Sequence, residues 1–368
     1  MTAVAPAQRR RVLAVALLCG LLLFVWQLGS TGLVDETPPL FAASARGMVE
    51  RGDWLIPHVN GLPRYDKPPL VYWLMGAIYA LPGQARWDPL GSWAACLPSA
   101  LASVVLLLAV VDTLLCWPQF GGGDPAGAAG PPPPSAGQAV VPGSPPTPGA
   151  PTTPCRPGVT ALTAGLAYGL SPLVFTWGRI SVSDALLSAT LGLSLLLAWR
   201  TMADPRGRWW HPWPCLGMAV LAKGPVAVVL LALTLLGFAW LQGNGRELWR
   251  RLRPLQGLLI CLAISAPWYA LALWRDGKPF LESFFGYHNL QRFSSVVNHH
   301  LQPWWFFGPV LVVCSVPFTP LLVLGLARAI GPLSASLIRP VRPRPAALSL
   351  DRFAACWLLA VQIGRAHV

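Results

Sequence analysis

The sequence predicts an all-α fold, a polytopic bundle of membrane-spanning helices, and three observations predict it. Hydrophobic residues make up 54% of the 368 and charged residues only 11%, whereas a water-facing globular surface needs roughly a quarter charged. The apolar residues fall in runs close to the ~20 residues that cross a bilayer's hydrocarbon core. Arginines collect between alternate runs, the bias that orients membrane proteins.

Taken in chain order, about 8–9 helices are expected. The run 12–28 follows Arg9-Arg10-Arg11. It is long for a signal-peptide core and has no small-residue cleavage site, so it reads as a retained signal-anchor helix. Residues 29–92 form a long loop that mixes charges with aromatics, and Pro68 to Leu81 reads as an amphipathic helix along the interface. A second span covers 93–117. The tract 118–158 is Pro, Gly, Ala and Ser with nothing to bury, and reads as a disordered cytoplasmic linker. Further spans cover 159–177 and 184–199. The run 212–241 is too long for one comfortable crossing and is broken by Lys223-Gly224-Pro225, with arginines beyond both ends. It is expected to be a hairpin with Lys223 at its turn and a short first arm sheltered by neighbours. Spans at 256–274 and 304–327 flank a second long loop, 275–303, and a final helix begins at 352–363. This divides the chain into an N-terminal membrane region (1–117), a linker (118–158), a helical membrane region (159–363) and a short non-native tail (364–368).

Threading the N-terminus inside places Arg9, Arg10, Arg11, Arg200, Arg206, Arg208 and the Arg246–Arg253 group in the cytoplasm. Nine of the 14 acids then lie outside: Asp35, Glu36, Glu50, Asp53, Asp66, Asp88, Asp184, Asp276 and Glu282. The expected location is the cytoplasmic (inner) membrane of a bacterium, with many passes. The orientation accounts for the net charge of +13 without any nucleic-acid partner. The eight cysteines include no CxxC pair, and neither disulfides nor zinc is inferred.

Five charge clusters share the outer face, and ionisable groups against hydrocarbon are functional candidates by default. They are Asp35-Glu36; Arg64-Tyr65-Asp66-Lys67; Arg179 with Asp184; Lys223; and Tyr287-His288-Asn289 with Arg292. Two have a plainer reading. Asp35 and Glu36 suit a solvated helix exit, and Asp184 suits an N-cap. Together the clusters pair carboxylates with cations, as a reaction on a lipid-linked phosphate requires. A carboxylate takes the proton of an attacking hydroxyl, and Lys or Arg neutralises the departing phosphate. A transporter or flippase for a lipid-linked substrate uses similar groups, and a non-catalytic scaffold that recruits partners through 118–158 also fits the composition.

The run VDETPPLFAASARGMVERGDWLIPHVNGLPRYDKPPLVYWLMGAIYAL resembles the first outer loop of the GT-C membrane glycosyltransferases. It is most similar to the bacterial branch that holds the lipid A aminoarabinose transferases and relatives of the protein O-mannosyltransferases. CLPSALAS, RISVSDALLS, LAKGPVA, FFGYHNLQRF and QPWWFF match in the same order. The resemblance implies inverting transfer of a sugar, hexosyl or pentosyl, from a polyprenyl-phosphate donor to a lipid, glycan or protein acceptor among membrane lipids. It implies catalytic roles for Asp35, Glu36 and Asp184, and donor-phosphate binding by Lys67, Arg292, Lys223 and Arg64. No cofactor is assigned; a divalent metal is left open, with Asp66 and His288 as weak ligand candidates.

Three departures from the family pattern stand out. Cys96 occupies a position where relatives often carry arginine, and 118–158 far exceeds the usual inner loop. The family continues through further helices, whereas this sequence stops within its last one, and Ile363–Val368 reads like sequencing-adapter read-through. The expectation is a C-terminally truncated chain.

Overall fold

The computed structural model describes residues 4–117, 157–204, 206–291, 306–338 and 348–365, with side chains withheld at 288–291, 330–338 and 362–365. The linker 118–158 therefore lies almost wholly outside the described residues, as do Arg292 and the side chain of His288.

Helix α1 (Pro6–Phe24) and α5 (Ser92–Cys116) form an antiparallel pair that fixes the two faces of the bundle. Ser92 Oγ donates to the Gly29 carbonyl at 2.8 Å. Gly20 sits against Val104 midway, and Arg9 reaches Asp112 at the far end. Everything between the two helices therefore lies on one face, hereafter the loop face. That stretch holds α2 (Thr37–Arg51), a two-residue antiparallel ribbon (β1 His58–Val59, β2 Leu62–Pro63), α3 (Leu70–Tyr79) and the short α4 (Gln84–Trp87). Buried Phe41, Ala45 and Met48 of α2 pack with Tyr72, Met75 and Tyr79 of α3 in one apolar cluster. A helix is thus present over most of the stretch 68–81 where one was expected.

After the linker, the predicted span 159–177 is interrupted. Helix α6 (Pro157–Leu170) ends and α7 (Pro172–Trp177) restarts at Pro172, because proline supplies no amide for the continuing ladder. Helix α8 (Ser183–Ala203) runs parallel to α5. Ser99 Oγ donates to the Val182 carbonyl at one end, and Arg200 bonds Thr113 and Asp112 at the other.

The hairpin expected over 212–241 is observed. Helix α9 (Pro212–Lys223) and α10 (Val226–Gln242) flank a break at Gly224, whose φ of +104° is unfavourable for a residue with a side chain. The short arm α9 is sheltered, with Leu216, Ala219, Val220 and Ala222 buried. Helix α11 (Gly245–Leu252) carries the arginines of the opposite face, and α12 (Pro254–Asp276) returns to the loop face. A π-helical stretch, Leu281–Gln291, follows, then α13 (Phe307–Cys314), α14 (Thr319–Ile338) and α15 (Leu350–Arg365).

Among the described helices α5, α8 and α12 are each long and apolar enough to cross a membrane alone. Leu18, Leu236 and Leu259 remain more than half exposed on the bundle surface. Water would penalise that apolar exterior, and lipid tails would not. The molecule is a polytopic helical membrane protein.

Candidate active site

The segment Arg64–Lys67 reaches the bundle because several bonds fix its approach. The Arg64 amide donates to the Pro57 carbonyl at 2.8 Å, closing the ribbon. Tyr65 Oη donates to Asp276 Oδ2 at 2.8 Å, which ties the loop to the end of α12. Burial and that carboxylate raise the Tyr65 phenol to about 12, so it remains a donor. Next to it Arg275 holds Asp53 through two bonds of 2.8 and 2.6 Å. The guanidinium lowers the Asp53 carboxyl to about 2. Trp268 Nε1 donates to the Leu55 carbonyl at 2.9 Å and completes the anchorage.

Asp66 itself is heavily engaged. Arg64 donates to both carboxylate oxygens at 2.7 Å, and Tyr72 Oη donates to Oδ1 at 3.3 Å. Arg64 also stacks over Phe41, 5.0 Å from its ring centroid. A bidentate pair of this kind neutralises both partners. Arg64 accordingly positions Asp66 instead of offering a free charge, although its Nη1 is buried without a hydrogen-bond partner. Lys67 follows directly and donates to the Asp66 carbonyl at 3.3 Å.

On the bundle side, Lys223 at the C-terminus of α9 donates to Asp184 Oδ1 in the first turn of α8. The capping alternative for Asp184 does not describe this geometry. Val182 occupies the cap position of α8 and no side chain caps that end.

Asp66, Lys67, Asp184 and Lys223 line one end of a cavity of about 850 Å³. Its walls come from α5, α6, α8, α10, α14 and α15, among them Leu106, Tyr168, Leu191, Leu230, Leu322 and Leu358. Two carboxylates and two ammonium groups thus stand at the mouth of an apolar chamber. Sequence reasoning passed over two further lining residues. They are Tyr168 of α6, within an apolar run, and Asp351 in the first turn of α15.

Asp35 and Glu36 are not among the residues lining this cavity. Asp35 adopts φ +79°, and its Oδ1 accepts from the Glu36 amide at 2.7 Å. Both side chains are exposed where the chain enters α2. Arg179 is also accounted for otherwise: it donates to the Leu23, Trp26 and Gln27 carbonyls and closes the end of α1. Among the described residues no three His, Cys, Asp or Glu side chains converge as a metal site, and the Asp66 oxygens are already taken by Arg64 and Tyr72.

Residues 155–271 match the family model for dolichyl-phosphate-mannose-protein mannosyltransferases. The crystal structure of ArnT from Cupriavidus metallidurans bound to undecaprenyl phosphate superposes with a TM-score of 0.67 at 20% identity, over 96% of this chain and 55% of that one. The two chains share one fold. The chain resembles the GT-C membrane glycosyltransferases of the aminoarabinose-transferase type. An undecaprenyl phosphate-α-4-amino-4-deoxy-L-arabinose arabinosyl transferase from Pseudomonas aeruginosa is 26% identical over 329 residues, which is 87% of this chain and 51% of the relative. One from Pseudomonas fluorescens is 28% identical over 331 residues, again 87% and 51%. The chain therefore spans about half the length of the curated relatives it matches. The family model covers α8 and α9, the helices that bring Asp184 and Lys223 together.

Proposed function

We propose that the protein to which this chain belongs is an inverting glycosyltransferase. It moves a sugar from a polyprenyl-phosphate donor to a lipid, glycan or protein acceptor, with the loop face outside the cytoplasmic membrane. The observation that carries this reading is the juxtaposition of Lys67, Lys223, Asp66 and Asp184 with the apolar cavity beneath them. A polyprenyl phosphate is an anion on a hydrocarbon tail, and this arrangement offers cations at the rim and hydrocarbon-lined space below. The similarity to undecaprenyl phosphate-α-4-amino-4-deoxy-L-arabinose arabinosyl transferases supports the donor class.

In this reading the acceptor oxygen bonds to the anomeric carbon from the face opposite the phosphate. The anomeric C–O bond breaks, and its electron pair leaves with the phosphate. Lys67 and Lys223 stabilise the charge gained there. A donor phosphate competes with Asp184 for Lys223, and the carboxylate released by that competition becomes a base for the acceptor proton. Asp35 and Glu36 are assigned to the acceptor side of the loop face, with Asp35 the essential carboxylate. Arg64 serves the phosphate site by fixing Asp66 and Lys67, and Arg292 is assigned to the same phosphate from the second loop.

The test is mass spectrometry of envelope glycolipids and glycoproteins from the source bacterium with and without the intact gene. Loss of one sugar substituent, restored by the gene, is the expected result. Unchanged glycans would sink the proposal.

A further inference from the structure

A second cavity lies on the opposite half of the bundle and shares no lining residue with the first. It is a groove of about 470 Å³ with α1 and α8 as walls and α5 as floor. Leu13 and Leu17 form one side, Leu193 and Leu197 the other, and Val105 and Ala109 the base. Leu17 and Val105 are 42% and 45% exposed, so the groove opens laterally toward the bilayer near mid-membrane. At the arginine face it is closed by a knot of charges. Asp112 of α5 accepts from Arg9 of α1 at 2.7 Å and from Arg200 of α8 at 2.9 Å. Arg200 also bonds Thr113 Oγ1 at 2.8 Å and faces the Trp117 ring.

One carboxylate between two guanidinium groups leaves the knot cationic, and exposed Arg10 and Arg11 lie beside it. A single salt bridge would have neutralised the end of the groove. Here Asp112 spends both oxygens tying the two walls to the floor helix, and a net positive charge remains at that end of the groove. From Val105 to Asp112 is two helical turns, about 10 Å, which matches the headgroup-proximal part of a leaflet ~15 Å deep in hydrocarbon.

We propose that this groove binds one anionic phospholipid from the leaflet on the arginine face. One acyl chain lies between α1 and α8, and the phosphate rests against Arg9 and Arg200. The site is independent of the sugar-transfer reading, because none of its residues belongs to the cluster around Lys223. Charge complementarity selects an anionic headgroup over a zwitterionic one, and the apolar walls select a diacyl lipid over a free phosphate.

Native mass spectrometry of the full chain, delipidated in detergent and titrated with dioleoyl phosphatidylglycerol or dioleoyl phosphatidylcholine, tests this. The expected result is one phosphatidylglycerol retained at least fivefold better than phosphatidylcholine, with inorganic phosphate failing to displace it. Ala14→Phe projects into the groove from an exposed position and leaves every arginine in place. It should abolish the retention, whereas generic attraction to the basic segments would survive it. Arg200→Gln should remove the headgroup preference. Equal retention of the two lipids by the unaltered chain, or full phosphatidylglycerol retention by Ala14→Phe, would overturn the proposal.

Discussion

Lys223 donates to Asp184 across the gap between α9 and α8, at the mouth of the larger cavity. Each side chain is about one third exposed, and an ion pair this open to its surroundings contributes only ~0–1 kcal/mol to stability. A fold does not need it. The pair holds a cation and a base in reserve at a site where a phosphate can separate them.

Substituting either partner should therefore cost activity far more than stability. Lys223→Ala and Asp184→Asn are each expected to lower kcat/KM for a polyprenyl-phosphate sugar by about 10²-fold in the full-length enzyme, as removal of one charge-stabilising donor does elsewhere. The double variant should lose much less than the product of the two losses, because the groups act on one another. Strictly multiplicative losses would separate Asp184 from Lys223 in the mechanism.

Asp35→Asn is the informative substitution at the first loop. Asp35 sits at φ +79°, a conformation asparagine tolerates almost as well as aspartate, so the loop backbone should survive the change. Turnover is expected to fall by about 10²-fold or more, the scale of one lost electrostatic contact to the reacting groups, with membrane insertion unchanged. Asp35→Ala mixes backbone strain with loss of charge and is the poorer probe. Retained turnover in Asp35→Asn would remove this carboxylate from the reaction.

Much of this was legible in the sequence, for physical reasons. The break at Gly224-Pro225 announced a hairpin because neither residue continues a helix, and α9 and α10 separate there. Asp184 and Lys223 were both placed on the outer face, but nothing in the sequence pairs two residues that lie 39 positions apart. Contacts set by side-chain reach were not legible. Arg64 looked like a free phosphate ligand, but only coordinates show its guanidinium folded onto Asp66. Asp112 lies inside a continuous apolar run, and nothing local says that two helices will deliver Arg9 and Arg200 to it. The interruption at Pro172 was missed because its flanks are equally apolar.

The anchorage of the first loop makes a pH prediction. The Arg275 guanidinium holds the Asp53 carboxyl at about 2, below the ~3.9 of an unfolded chain. A depressed carboxylate adds stability that is fully present above its unfolded value and lost as pH falls through the folded one. The clasp is thus intact at pH 5 and above, and weakens between about pH 4 and 2. Protease accessibility of residues 53–65 should rise over that window, and Asp53→Asn should show the raised accessibility already at pH 7. A pH-independent loop would refute the role given to Asp53.

Gly257 tests how tightly α9 and α12 are joined. A Cβ built there falls 1.8 Å from Trp213 Cε2 and 2.2 Å from Nε1. Trp213 is nearly buried, and its Nε1 donates to the Leu252 carbonyl at 3.1 Å, so the indole is held on two sides. Alanine is the better helix former by up to ~1 kcal/mol, and on propensity alone Gly257→Ala would stabilise. Overpacking of a closed contact costs about 1–3 kcal/mol, and here it also threatens the Trp213 bond. The net effect should be destabilising, seen as a melting temperature several degrees lower in detergent. Because α9 carries Lys223 at its other end, the same variant should weaken donor binding although Gly257 lies far from the cavity mouth. A stabilised Gly257→Ala with unaltered donor KM would mean that the α9–α12 contact is looser than the geometry requires.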